Sequence, residues 1–331
     1  MASILGRVRR RILTPNVSET HLEFRGFPEK NQQSRELLET AGGSFLTGFA
    51  YAAEAASVVE VEQNLETVER EFQGFAYEGA GMAFAIRDGL PVGHRHHVVD
   101  FLSGPAKEHT YITYVGVGWA LARLPKFCWP AVTSGVTDPL LRWLVHDGYG
   151  FHQAYFRTEK YVNQQFREQD FGWPDDGPQG YAGRAIDQGI GRAMWFVGGT
   201  DVTLVANMIN KFDADRRPDL FAGVGLAATY AGGAGEPELR TLAERAGDCR
   251  AQLAQGSAFA ASARVIAGLV TPHTELATRV LCGVTPEHAD QICQESVPAE
   301  HTTGSEGGKP AFEVWRQRIA DKLVAAARSP S

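Results

Sequence analysis

The sequence predicts a mainly α fold: one superhelical domain of degenerate helical-hairpin units of about 35 residues, stacked as a solenoid that is either open or closed into a toroid. Three observations carry this expectation. A short glycine-centred segment recurs along the chain, anchored at Gly48, Gly81, Gly118, Gly150, Gly191, Gly225 and Gly256. The stretches between these segments place apolar residues three and four apart, the period of an amphipathic helix. Strand signals are few. Residues 111–115 are β-prone but run straight into a glycine segment, which leaves their type ambiguous.

The elements follow in chain order. Residues 1–23 form a basic arm with Arg7, Arg9, Arg10 and Arg11 close together, read either as a solvated tail or as a surface for an acidic partner or a membrane. Residues 24–297 hold the glycine segments and form the helical-repeat domain. Within it, residues 57–73 put Val58, Val61, Leu65, Val68 and Phe72 on one stripe and read as a single helix. Asp138-Pro139, Glu236-Pro237 and Thr271-Pro272 each read as a helix start, since proline fits the first turn where its missing N–H goes unused. The second of these opens a stretch to Leu253, and the third a helix to Leu281 closed by Gly283. Residues 170–180, rich in Gly, Pro and Asp, read as a loop, and residues 298–310 as a flexible linker. Residues 311–331 read as a last helix with Phe312, Trp315, Ile319 and Leu323 on one side.

Glycine in a helix interior costs about 1 kcal/mol relative to alanine. Its return at one register therefore points to backbones that approach more closely than the usual helix spacing of roughly 8–10 Å.

Composition excludes several classes. The net charge of −7 offers no global basic field to a nucleic acid. No apolar core of a secretory signal follows the arginines, and no apolar run is long enough for a spanning helix, so a cytoplasmic protein is expected. Cys128, Cys249, Cys282 and Cys293 form no Cys-x-x-Cys pair and read as free, mostly buried thiols.

Recognisable chemistry is sparse. There is no P-loop, no dinucleotide fingerprint after a clear strand, no Gly-x-Ser-x-Gly and no His-Glu-x-x-His, and no cofactor is evident. Asp175-Asp176 lacks a spaced third carboxylate, and Asp213 with Asp215 lacks the remainder of a calcium loop. His94-Arg95-His96-His97 reads as a polar loop, or as a metal site if two rings converge. The glycine segments themselves are more informative. Glu78, Asp147 and Asp187 precede their glycines, while His152 and Arg192 follow theirs. Units in register would turn these residues toward one side, as a catalytic group walled by Trp119, Tyr155 and Trp195. A histidine near two carboxylates would then act as acid or base near neutral pH. The alternative is that the carboxylates cap helix N-termini and Arg192 neutralises one of them in the core.

Several stretches together resemble one family. They are Phe24-Arg25-Gly26-Phe27, Gly74-Phe75-Ala76-Tyr77-Glu78-Gly79-Ala80-Gly81-Met82-Ala83 and Tyr114-Val115-Gly116-Val117-Gly118-Trp119-Ala120 with the following Leu121-Ala122-Arg123-Leu124-Pro125. They continue with Asp147-Gly148-Tyr149-Gly150-Phe151-His152, Asp187-Gln188-Gly189-Ile190-Gly191-Arg192 and Gly223-Val224-Gly225-Leu226-Ala227. From Phe24 to Cys282 the chain resembles the UnbL-type proteins of enediyne antibiotic gene clusters. The resemblance implies an accessory role in enediyne core biosynthesis, beside UnbV- and UnbU-type proteins and an iterative polyketide synthase. It implies action on, or binding of, a linear polyene or polyyne. It carries over no catalytic residues. A scaffold or carrier for the partner proteins is the alternative, because helical repeats often present a concave surface.

Overall fold

The computed structural model describes residues 4–91, 96–104, 106–169, 171–174, 177–178, 180–299 and 308–328. His94, Arg95, Asp170, Asp175, Asp176 and most of the 298–310 linker lie outside the described residues. All regular structure among the described residues is helical. The chain opens with α1 (Ile4–Leu13), α2 (Leu22–Arg25), α3 (Gln32–Glu54), α4 (Val58–Leu65), α5 (Gln73–Gly89) and α6 (His97–Ser103). It continues through α7 (Thr110–Arg123), α8 (Trp129–Thr133), α9 (Trp143–Phe156), α10 (Tyr181–Val197), α11 (Val202–Ile209) and α12 (Arg217–Tyr230). It ends with α13 (Glu236–Arg245), α14 (Arg250–Ile266), α15 (Pro272–Cys282), α16 (Pro286–Glu295) and α17 (Ala311–Arg328).

The glycine helices α3, α5, α7, α9, α10, α12 and α14 pack side by side in chain order. Their contacts are backbone against backbone. A Cβ at Gly48 would overlap the Ala76 carbonyl, and one at Gly79 the Phe45 carbonyl, so α3 and α5 interlock through one glycine each. The same reciprocity joins Gly118 to Val145 and Gly148 to Val115 between α7 and α9. It recurs with Gly150 and Gly189 between α9 and α10, Gly191 and Gly223 between α10 and α12, and Gly225 and Gly256 between α12 and α14. Between α5 and α7, Gly116 abuts the Glu78 carbonyl while Gly81 faces Thr113.

The Gly-x-Gly spelling has a geometric cause. Residues two apart on an α-helix are about 200° apart around its axis. The first glycine therefore faces the preceding helix and the second the following one. The helices at the two ends of the row need only one glycine, and α3 and α14 each use one, Gly48 and Gly256. The residue between the glycines points away from the arc that both flanking residues share. That arc faces the inside of the row, and the shorter helices α4, α6, α8, α11, α13 and α15 pack outside. A helix enclosed in this way is buried all round: α5 is buried without a break from Ala76 to Gly89.

Several local expectations need correction. Residues 57–73 are not one helix: α4 stops at Leu65, and Phe72 stands at the start of α5. Asp138 does cap, accepting from the backbone N–H groups of Leu140 and Leu141, but α9 itself starts at Trp143. The stretch from Glu236 divides into α13 and α14. The β-prone residues 111–115 lie inside α7, where burial on all sides suits β-branched side chains as well as a sheet would. The basic arm is largely α1, not a loose tail. Arg9 donates to the carbonyls of Ala53, Glu54 and Ala55 and thereby caps the C-terminal end of α3. The last helix, α17, is tied into the body by buried charge: Arg316 reaches Asp219 at 2.7 Å, and the Tyr181 hydroxyl donates to Glu313 at 2.9 Å. The four cysteines are free thiols, and three of them are buried.

The glycine contacts generate a prediction with an internal control. Gly148→Ala places a methyl group on the Val115 carbonyl and should destabilise the fold by about 3 kcal/mol or more. Gly43 lies in the α3 interior with nothing near its missing side chain, so Gly43→Ala should stabilise by about 0.5–1 kcal/mol. Urea unfolding of the two variants measures both; equal effects would refute the close-approach account.

Candidate functional site

The inner faces of the glycine helices enclose a cavity of about 110 Å³. Its walls on α7 run from Tyr111 to Arg123, which at 1.5 Å per residue is about 18 Å of length. A small volume over that length makes the cavity a narrow slot. The wall is mainly apolar and aromatic: Phe45, Met82, Trp119, Phe151, Leu226 and Phe259 all contribute. One end lies at Tyr111, Phe259 and Ala263, and the other at His152, Tyr155 and Phe156 beneath Pro15, Glu19 and Thr20.

A simple register places this wall. The residue after the second glycine is Met82, Trp119, Phe151, Arg192 and Leu226 in turn, and all five line the cavity. Glu78, just before the first glycine of α5, shares that face because positions three or four apart lie on one side of a helix. Asp187 stands one residue earlier relative to its glycine, which turns it out of the cavity.

The polar centre consists of Glu78, Arg192 and Asp147. All three occupy helix interiors, so helix capping does not account for the two carboxylates. Arg192 Nε lies 2.8 Å from Asp147 Oδ1, and its Nη2 lies 3.6 Å from Glu78 Oε1. Both contacts are close ion pairs without a formed hydrogen bond. Glu78 and Arg192 line the cavity, and Asp147 sits behind Arg192. Burial raises the Glu78 carboxyl to about 7, opposed by the Arg192 charge and reinforced by Asp147. Burial raises Asp147 as well, against the same arginine. The Trp119 indole N–H is close to Glu78 but has no hydrogen-bond partner.

His152 has a different role from the one its neighbours in sequence imply. It lines the cavity end, stacks edge-on against Trp119 and leans on Phe156. Burial, then Arg123, Arg157 and Arg25, push its imidazole down to about 3. It is held neutral and is no acid–base partner of the carboxylates. Its Nδ1 has no hydrogen-bond partner, so the cavity holds buried polar atoms available to a ligand on His152 and Trp119, each 9% exposed.

The other expected site residues separate. Asp187 pairs with Arg216 at 2.9 Å on the far side of α10, where burial still raises its carboxyl. Trp195 is fully buried and donates to the Gly232 carbonyl at 2.9 Å, which makes it core and not cavity wall. Tyr155 does line the cavity, and its hydroxyl donates to the Glu19 carbonyl at 3.2 Å. His97 leaves the histidine cluster to pair with Asp88 at 2.6 Å at the start of α6. No group of three or more metal-ligating side chains is gathered among the described residues. Sequence reasoning missed Tyr230 and Phe259 at the far end and Arg123 at the near end. Arg123 could have been found one helical turn beyond Trp119.

Two measurements test this centre. With the Glu78 pKa raised, the folded chain holds a proton that the unfolded chain releases between pH 4.5 and about 7. That contribution to stability is complete below pH 4.5 and is lost as pH rises through about 7. Glu78→Gln should flatten the fall in stability across that window by on the order of 1–3 kcal/mol, read from unfolding midpoints against pH. Separately, Arg192→Met should cost about 3–5 kcal/mol by leaving Asp147 buried without its cation. Adding Asp147→Asn should recover a large part of that loss, and simple additivity in the cycle would rule out the pairing.

Comparison with known proteins agrees with the extent of the fold. No curated protein matches the chain, and no solved structure does. The model of the family described as protein of unknown function (DUF1702) matches residues 4–323, so the chain belongs to that family.

Proposed function

We propose that this protein is an UnbL-type accessory protein of enediyne core biosynthesis, and that it acts on a linear polyene or polyyne released by an iterative polyketide synthase. The observation that supports this reading is the shape of the cavity together with its one poised group. An extended chain advances about 1.2 Å per backbone atom, so a slot of about 18 Å has the length of roughly fifteen atoms in line, and its walls must part to admit a chain bulkier than the free 110 Å³. The apolar wall suits a conjugated hydrocarbon. Glu78 faces the middle of that chain, level with Gly116 of α7, and carries a proton whose affinity is matched to neutral pH. It can give a proton to the bound chain or take one from it, with Arg192 stabilising the carboxylate that forms. Trp119 and His152 can hydrogen-bond a polar group on the same ligand.

The interlocked glycine helices support the companion inference that the chain is a degenerate helical-hairpin repeat. The segment before α3 meets the turn after α12 and the start of α13, where Lys30 donates to the Gly233 carbonyl at 2.6 Å and to Glu238 at 2.7 Å, which supports a closed form of the repeat. A second reading, a carrier that binds the polyene and hands it to UnbV- or UnbU-type proteins or the synthase, draws on His152. Being neutral, it leaves Glu78 without a second proton-transfer group in the slot.

Incubating the pure protein with released polyene separates the readings. Binding should quench tryptophan fluorescence through Trp119. Ala263→Trp, which shortens the slot at its far end, should weaken binding about tenfold, or about 1.4 kcal/mol. Glu78→Gln should bind but leave the polyene unchanged. Conversion by wild type and not by Glu78→Gln favours the enzyme, and unchanged polyene from both favours the carrier. Absence of binding by the wild type would sink both.

A further inference from the structure

The helix α1 has an unusual surface. Ile4 is 75% exposed, Leu5 71% and Ile12 74%, and Val8 is also exposed. At about 100° per residue these four side chains share one arc roughly 100° wide. The opposite side, Gly6, Arg9 and Leu13, is the side packed toward α3. The apolar stripe therefore faces away from the protein. Arg11 and Arg7 are exposed along one border of the stripe, and Arg10, further round toward α3, is paired to Glu54 at 2.7 Å. The helix has no acidic residue, although the chain as a whole carries a net charge of −7.

We infer that α1 docks the protein onto an anionic lipid surface, with Ile4, Leu5, Val8 and Ile12 entering the headgroup boundary and the arginines binding lipid phosphates. The charge pattern decides the occupant. A stripe that mates with a second copy would meet the same arginines and repel them, whereas a bilayer of anionic lipid offers a complementary charge along the whole helix. Val17 and Phe24, which follow α1 in the chain, are also exposed. Pro15, Glu19 and Thr20, which close one end of the cavity, lie on that same segment. Docking through α1 therefore sets that end of the slot close to the lipid, the phase into which a water-insoluble chain partitions. No described helix is long and apolar enough to cross a membrane, so the contact is one of lying on the surface. The inference rests on the stripe and its charges, whatever the cavity holds.

Co-sedimentation of the full chain with vesicles tests it. Wild-type protein should sediment with vesicles of phosphatidylglycerol and phosphatidylcholine in equal parts, and not with phosphatidylcholine alone. Raising the salt should release it. Ile4→Asp with Ile12→Asp should reduce binding by about tenfold or more, and Arg7→Glu with Arg11→Glu to a similar degree. All four side chains are exposed, so both double variants should unfold at the wild-type urea midpoint. Equal binding by the Ile4→Asp/Ile12→Asp variant, or no binding of wild type at low salt, would overturn the inference. So would a wild-type dimer that the same variant converts to a monomer while neither binds vesicles, since that assigns the stripe to a second copy.

Discussion

Six successive helix contacts in this protein rest on one constraint, the approach of a main-chain carbonyl to a glycine Cα where no side chain fits. Each glycine weakens its own helix by about 1 kcal/mol. What offsets this is dispersion and packing between two backbones at a distance that side chains would forbid. Because the paired glycines lie on opposite sides of their helix, each helix is committed to two neighbours. Only the remaining inward arc is free to vary, and it is there that the chain places Met82, Trp119, Phe151, Arg192 and Leu226. Packing and cavity are two products of one register.

The electrostatics of the centre depend on the same geometry. Three ionisable groups from α5, α9 and α10 meet although their helices are separated in sequence, because the glycines bring those backbones close. Two carboxylates share one guanidinium in a site that water scarcely reaches. Burial leaves Glu78, the more distant partner, with a proton it would have lost in solvent, and the shared arginine charge only partly opposes this.

Much of this was legible in the sequence, and the limits have physical reasons. Helix periodicity and the glycine register are local, so the row of helices and the face carrying Glu78, Trp119 and Arg192 could be read without a structure. The register already separates Asp187, one residue earlier relative to its glycine than Glu78, and the structure pairs it with Arg216. Trp195 could not be assigned by register alone, because it is decided by a partner distant in sequence, the Gly232 carbonyl. The type of the β-prone run at 111–115 was likewise undecidable, since burial removes the alternation that separates strand from helix. The neutrality of His152 depends first on its burial, then on Arg123 and Arg25 arriving from elements distant in sequence and on Arg157 at the end of its own helix.

The interlocked backbones also determine where the molecule can give. A contact between carbonyl and Cα has no rotamers to exchange, so the row is stiff in the mechanical sense: it has no second packing to slide into. Where the chain closes on itself, some joints are of another kind. Arg264 reaches the Glu71 carbonyl, Arg70 the Gly268 carbonyl and Lys30 the Gly233 carbonyl, through long side chains that can tilt or let go. Compliance is greater at these joints than within a helix pair, and a guest that enters the slot strains them before it parts two interlocked backbones.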